Sequence, residues 1–142
     1  MADLLDVNVL LALLHARHWH SRRAVAWLET RGDPGAIRLC RVVQMGALRL
    51  LTTRTVMQND VLTAAEFWQG WDRLLRDDRF TLVQEPPALE TAWRQLSRAL
   101  PRGQVAGTDT YLAALAKARG WRLVTFDRGF TAFPGLEVEV LA

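Results

Sequence analysis

The chain predicts an α/β fold built on a mainly parallel sheet, and three observations carry that reading. Short apolar runs of strand length alternate with longer stretches of helical period. The helical stretches carry start and stop residues of their own. Half of the 142 residues are apolar and 23% are charged, a globular rather than disordered balance. That length suits one domain, residues 1–142, with a core of its own.

Taken in order, "DLLDV" (3–7) reads as a short buried strand and "NVLLALLHA" (8–16) as a helix with leucines on more than one face. "HSRRAVAWLETRG" (20–32) is an amphipathic helix, with Gly32 in the place of a left-handed C′ residue. Asp33, Pro34 and Gly35 form a turn, and "AIRLC" (36–40) is the second strand. "RVVQMGALRLLT" (41–52) is a helix with Val43, Ala47, Leu48, Leu50 and Leu51 as packing positions. "TTRTVMQND" (52–60) is polar enough to be a loop. The next helix, 63–77, opens on a capping box of Thr63 and Glu66. "FTLVQ" (80–84) is a strand, and Pro87 and Pro101 bracket a helix over 88–100. After a loop at 102–107, a helix ends at Gly120, "WRLVTFD" (121–127) is a strand and "LEVEVL" (136–141) is the last.

Composition excludes several classes. No apolar run approaches the ~20 residues that span a bilayer. The first apolar run follows Asp3 rather than Lys or Arg, so it does not read as a signal peptide, and a cytoplasmic protein is expected. A single cysteine, Cys40, rules out an internal disulfide and a Cys-based zinc site. His15, His18 and His20 do not share one helical face, and a helix boundary falls among them, so they do not read as a metal site. "GQVAGTD" lacks the Gly-Lys-Ser/Thr of a P-loop. The net charge of +3 is uninformative, although of 18 basic residues only Lys117 is lysine, and arginine's planar fork suits phosphate. Asp77 and Asp78 read as a solvated helix end. Trp27, Trp68, Trp71 and Trp93 sit in amphipathic helices, where any that are exposed mark a partner surface.

Ligands of parallel sheets gather at the carboxyl ends of the strands. Asp6 and Asp127 fall at two such ends, and Asp109 lies in the first turn of the helix that runs into the Asp127 strand. Three clustered carboxylates raise one another's pKa values, a difficulty that a divalent cation removes. Hard oxygen ligands suit Mg²⁺ or Mn²⁺. Each acid also has a plain structural reading: Asp6 as a helix cap, Asp109 as a dipole partner, Asp127 as a turn residue.

The stretches "LLDVNVLLALL", "RVVQMGALRLLT" and "TDTYLAALAKARGWRLVTFDRGF", in this order, resemble a PIN-domain ribonuclease, and more narrowly the VapC-type toxins of bacterial toxin–antitoxin pairs. The resemblance implies a PIN-like α/β/α sandwich whose acids bind Mg²⁺ or Mn²⁺ and cut RNA by in-line attack of water. By position Asp6 matches the family's first acid, Asp109 the third and Asp127 the fourth. The second, a glutamate near the start of the third helix, is Gln44 in this chain. An amide offers an oxygen but one negative charge fewer, and it cannot act as a base. Gln44 therefore either orients a water beside the ion, with activity retained, or marks weakened metal affinity and catalysis. Asn8 and Thr125 are placed to hydrogen-bond the acids or the phosphate, and Arg49 and Arg128 either hold the RNA backbone or are ordinary surface charges. The resemblance further implies a small antitoxin that wraps the chain and blocks its site, and a homodimer, with the aromatic helices at 20–31 and 63–76 as candidate surfaces.

Two other functions compete. A phosphatase of the haloacid-dehalogenase type would want an acid two residues after Asp6, where Asn8 stands, and a following threonine that is absent. A degenerate nuclease would bind RNA or antitoxin without cutting, and Gln44 is its best support.

Overall fold

The structure, a computed structural model, describes residues 1–142. Its centre is a five-stranded sheet of order β3-β2-β1-β4-β5, in which every pairing is parallel. The strands are β1 (Asp3–Leu5), β2 (Ile37–Leu39), β3 (Phe80–Leu82), β4 (Arg122–Thr125) and β5 (Val138–Val140). Seven helices complete the layers: α1 (Val7–Leu14), α2 (Ser21–Glu29), α3 (Arg41–Leu51), α4 (Arg54–Met57), α5 (Ala64–Leu75), α6 (Leu89–Arg98) and α7 (Thr108–Arg119). Parallel strands covered on both faces are apolar almost throughout. Accordingly Leu4, Leu5, Ile37, Leu39, Leu123 and Val124 are all fully buried. No helix is long and apolar enough to cross a membrane.

Several local expectations hold. Thr63 Oγ1 accepts from Glu66 N at 3.1 Å while Glu66 Oε1 accepts from Thr63 N at 2.9 Å, which closes the capping box at the start of α5. Gly120 ends α7 at φ +68°, a conformation that costs an L side chain about 1 kcal/mol or more. Gly35 turns the chain into β2 at φ +69°.

Others are corrected. β1 stops at Leu5, and α1 begins at Val7 because Asp6 turns the chain by accepting the Val7 N–H. The segment expected as a loop over 52–60 forms α4 and a 3-10 turn, Gln58–Asp60. Its polar face is solvated while Met57 packs against the core. Gly32 does not adopt positive φ: α2 ends three residues earlier, where the Thr30 hydroxyl donates to the Trp27 carbonyl at 2.6 Å. The helix after Pro87 begins only at Leu89. Asp78 is solvated as expected, while the half-buried Asp77 is held by Arg79, which grips its carboxylate at 2.6 Å and also donates to the carbonyls of Leu28 and Arg31, tying the entry of β3 to the exit of α2. Of the tryptophans, Trp27 and Trp71 are buried, and Trp68 and Trp93 are exposed.

At the amino end of β1, Asp3 is buried. Arg122 Nε donates to Asp3 Oδ1 at 2.7 Å, and Arg31 Nε stands 3.1 Å from Oδ2, an ion pair whose N–H is not aligned for a hydrogen bond. Glu139 Oε2 accepts from Arg31 Nη2 at 2.9 Å and from Trp27 Nε1 at 3.1 Å.

Candidate active site

The strand order reverses between β1 and β4: the chain winds outward through β2 and β3 on one side and through β5 on the other. A crevice forms outside the carboxyl ends of the strands at such a switch point. Asp6 leaves β1 there and Asp127 follows β4. The Asp6 N–H donates to the Val124 carbonyl at 3.0 Å, which extends the β1–β4 ladder by one residue. Its carboxylate is held at both oxygens. Oδ1 accepts from Val7 N at 2.7 Å and Oδ2 from Thr125 Oγ1 at 2.7 Å. Thr125 Oγ1 in turn accepts from Asp127 N at 2.9 Å, so one buried hydroxyl sets the positions of two acids. Asp127 Oδ1 accepts from Gly129 N at 2.8 Å, and a Cβ at residue 129 would lie only 3.1 Å from that oxygen. Asn8 Oδ1 accepts from Phe126 N at 3.3 Å: it braces the turn between Thr125 and Asp127 and bonds neither acid. The helix-cap role of Asp6 and the turn role of Asp127 are thus both filled, within one cluster.

Asp109 joins the cluster from the first turn of α7. Burial raises the Asp6 pKa above the usual carboxylate value, and the charges of Asp109 and Asp127 raise it further, against the lowering effect of its hydrogen bonds from Thr125 and Val7. Burial also raises Asp109, again helped by Asp127. The three carboxylates are therefore near enough to repel one another, and none of them is in an ion pair. No three His, Cys, Asp or Glu side chains converge closely enough to hold one ion together.

Gln44 is buried on α3 and faces a different partner. Its Oε1 accepts from Arg41 Nη1 at 2.6 Å, one helical turn earlier. α3 comes this close to α1 because residue 46 is glycine; a Cβ there would stand 3.2 Å from Val7 Cγ2. Arg41 shares a cleft of about 460 Å³ with Glu85 and Tyr111, whose hydroxyl donates to Glu85 Oε1 at 2.7 Å. Neither Arg41 nor Glu85 was a sequence candidate. The i, i+3 spacing from Arg41 to Gln44 and the position of Glu85 beyond the third strand were the signals for them. Cys40 caps α3 beside this cleft, and burial pushes its thiol up to about 11, with a small further rise from the charge of Asp6. Iodoacetamide at pH 8 is accordingly expected to leave Cys40 unmodified in the folded protein and to alkylate it after unfolding in urea, as read by mass spectrometry. Arg49, exposed on α3, lines a surface groove with Thr108, the neighbour of Asp109. Arg128 is exposed immediately after Asp127, and neither arginine is in an ion pair.

Residues 4–136 match the model of the PIN domain. Among curated proteins, the chain is 41% identical over 143 aligned positions to Ribonuclease VapC41 of Mycobacterium tuberculosis, covering 98% of each chain. Among solved structures, it is similar to VapBC2 of Rickettsia felis bound to a DNA fragment from their promoter, with a TM-score of 0.74 at 17% identity over 100% of both chains. A toxin–antitoxin complex from Klebsiella pneumoniae gives a TM-score of 0.66 at 17% identity, covering 99% of this chain and 98% of that one.

Proposed function

Because the chain belongs to the PIN-domain family and stands among its VapC ribonucleases, we propose that it is the toxin of a toxin–antitoxin pair, an endoribonuclease that hydrolyses RNA phosphodiesters with Mg²⁺ or Mn²⁺. The metal reading is carried by a contrast between two acids three residues apart, at the two ends of β1. Asp3 and Asp6 are equally buried, at 1% and 5% exposure, yet Asp3 faces two arginines and Asp6 faces two further carboxylates. A buried carboxylate without a countercharge costs several kcal/mol, which a bound cation offsets.

The donors are carboxylate oxygens, which fit a hard divalent ion. Mg²⁺ is ordinarily held by one or two carboxylates with the rest of its shell water, in keeping with a cluster in which no three acids converge. Asp6 and Asp109 would hold the ion, directly or through water, and Asp127 would reach its shell through a water or hold a second ion. When bound, such an ion lowers the pKa of a water and stabilises the charge developing on the phosphoryl oxygens. Thr125 fixes the carboxylate of Asp6, and Asn8 fixes the turn that presents Asp127. Arg41 holds the carbonyl end of Gln44, leaving its amide N–H groups to orient a water or a phosphate oxygen. Arg49 and Arg128 hold flanking phosphates. The partners are RNA, a small antitoxin of the kind seen in the toxin–antitoxin structures, and a second copy of the chain that meets the aromatic helices α2 and α5.

Incubation of the purified protein with total RNA tests this reading. Cleavage is expected with Mg²⁺ or Mn²⁺ and is expected to stop in EDTA. Gln44→Ala is expected to cut about 10- to 100-fold more slowly, the usual cost of losing a group that supports a metal site, while Gln44→Glu stays close to wild type. Binding without cutting in wild type, rescued by Gln44→Glu, would instead identify a degenerate nuclease.

A further inference from the structure

Beside the acids lies a pocket of about 480 Å³ that the cleavage scheme leaves unused. It shares Asn8 and Asp127 with the acid cluster, and its other wall is aromatic. The His20 ring stacks on Phe126 with centroids 4.1 Å apart and planes 14° from parallel. Trp19 stands at the rim, 4.9 Å from the His18 ring and 82% exposed, the most solvent-facing tryptophan in the chain. The six residues that join α1 to α2 carry this wall, and local bonds hold them rigid. His15 Nδ1 accepts from Arg17 N at 3.2 Å, and His18 Nδ1 from His20 N at 3.1 Å. Two contacts anchor the segment across the pocket to Asp60: His15 Nε2 donates to its carbonyl at 3.1 Å and Arg17 pairs with its carboxylate at 2.8 Å. Burial, with His20 and His15 nearby, holds the His18 imidazole below its usual pKa, so near neutral pH it presents an uncharged ring.

We propose that this pocket is a nucleobase subsite, in which the base next to the phosphate bound at the acids stacks on Trp19, against the wall formed by His18, His20 and Phe126. The proposal rests on the ribonuclease reading of the acid cluster. Single-stranded RNA is recognised by splaying bases onto aromatic faces, with histidine among the platforms. The pocket offers such faces, continuous with the site of cleavage, and polar groups at its edge from Asn8 and Asp127. An indole left in water costs apolar hydration that a stacked base removes. Position favours RNA over a peptide, because Asp127 belongs to both the acid cluster and this pocket, so the base beside a phosphate held there by a cation would lie at this opening.

The test uses two fluorescein-labelled probes, oligo(A) and the same ribose-phosphate chain without bases. Anisotropy is read in Ca²⁺, with probe integrity checked on a gel. Wild type is expected to bind oligo(A) more tightly than the abasic chain. Trp19→Ala is expected to weaken oligo(A) binding about 5- to 150-fold and to leave the abasic chain unchanged, with Trp19→Phe recovering most of the loss. The exposure of Trp19 makes the fold insensitive to this change, which circular dichroism and a melting curve verify. Equal binding of oligo(A) by wild type and Trp19→Ala overturns the subsite and assigns the exposed indole to protein docking. Failure of wild type to cut total RNA with Mg²⁺ or Mn²⁺ overturns the ribonuclease reading and the subsite with it; cutting by wild type with no effect of Trp19→Ala overturns the subsite alone.

Discussion

Replacing Asp6 by asparagine is expected to lower metal-dependent RNA cleavage about 10³-fold or more while making the metal-free protein more stable. The rate loss corresponds to about 4 kcal/mol, within the several that a Lewis acid contributes to a phosphoryl transition state. The gain in stability follows from burial. In its ionised form Asp6 sits buried just beyond β1 with no basic partner and with Asp109 and Asp127 adding repulsion. Asparagine keeps an oxygen for the Val7 N–H but loses the charged acceptor of Thr125, a cost of about 1 kcal/mol, smaller than the desolvation relieved. The sign of the pH dependence is fixed by the same burial. The folded-state pKa of Asp6 lies above its unfolded value, so between the two the folded state binds more protons, and stability falls as pH rises. The stability that protonation confers is complete below the ordinary carboxylate value, 3.8, and is gone above the raised one. Melting temperatures in EDTA should therefore diverge in favour of Asp6→Asn as pH increases from about 4. Divalent ions should raise the melting temperature of wild type and not that of the variant. A variant that cuts RNA at the wild-type rate would remove Asp6 from the site.

Asp3→Asn is expected to do the reverse: destabilise the fold and leave the chemistry intact. Arg122 and Arg31 lie against a carboxylate that is 1% exposed, and without it Glu139 is the one carboxylate left within ion-pair distance of them. Breaking a buried pair from one side costs about 3–5 kcal/mol. The lower end applies, because both guanidinium side chains are about a quarter exposed and rehydrate in part. In a chain of this length about 3 kcal/mol lowers the melting temperature by about 10 °C. Urea titration measures it directly, and a loss below about 1 kcal/mol would show that water replaces the carboxylate. Activity per folded molecule should match wild type, since Asp3 lies at the opposite end of the sheet from the acids.

What the chain discloses before folding depends on the range of the interaction. Strands β1, β2 and β4 are legible because each sets two fully buried aliphatic residues in a short run, Leu4 and Leu5, Ile37 and Leu39, Leu123 and Val124. The start of α5 and the end of α7 are legible because Thr63, Glu66 and Gly120 act on their own neighbours. α4 is not, because it is a single turn with no buried residue, held by its docking against the core rather than by its composition. Gly32 misleads because a local bond from the Thr30 hydroxyl and a tertiary tether from the Arg79 guanidinium end α2 before the glycine is needed. In the site, the residue types announced a cluster of acids, and the rule for parallel sheets put them at one edge. The sharing of Thr125 between Asp6 and Asp127 was not legible, nor was the turn of Gln44 toward Arg41, because neither leaves a mark on periodicity. His15, His18 and His20 mark a helix boundary in the sequence, which carries no sign that Phe126 stacks on His20 from the far end of the chain.

The hydrogen bond from Thr125 to Asp6 joins residues 119 positions apart. A ribosome adds about 5–20 residues per second, so Asp6 emerges and waits about 6 to 24 s before its partner is even synthesised. During that interval β1 has no β4 beside it, and the acid that begins the site stands alone. A chain interrupted before β4 therefore lacks Thr125 and Asp127, and with them part of the acid cluster. The order of the strands thus makes the acid cluster a late product of synthesis, although its first acid is among the first residues made.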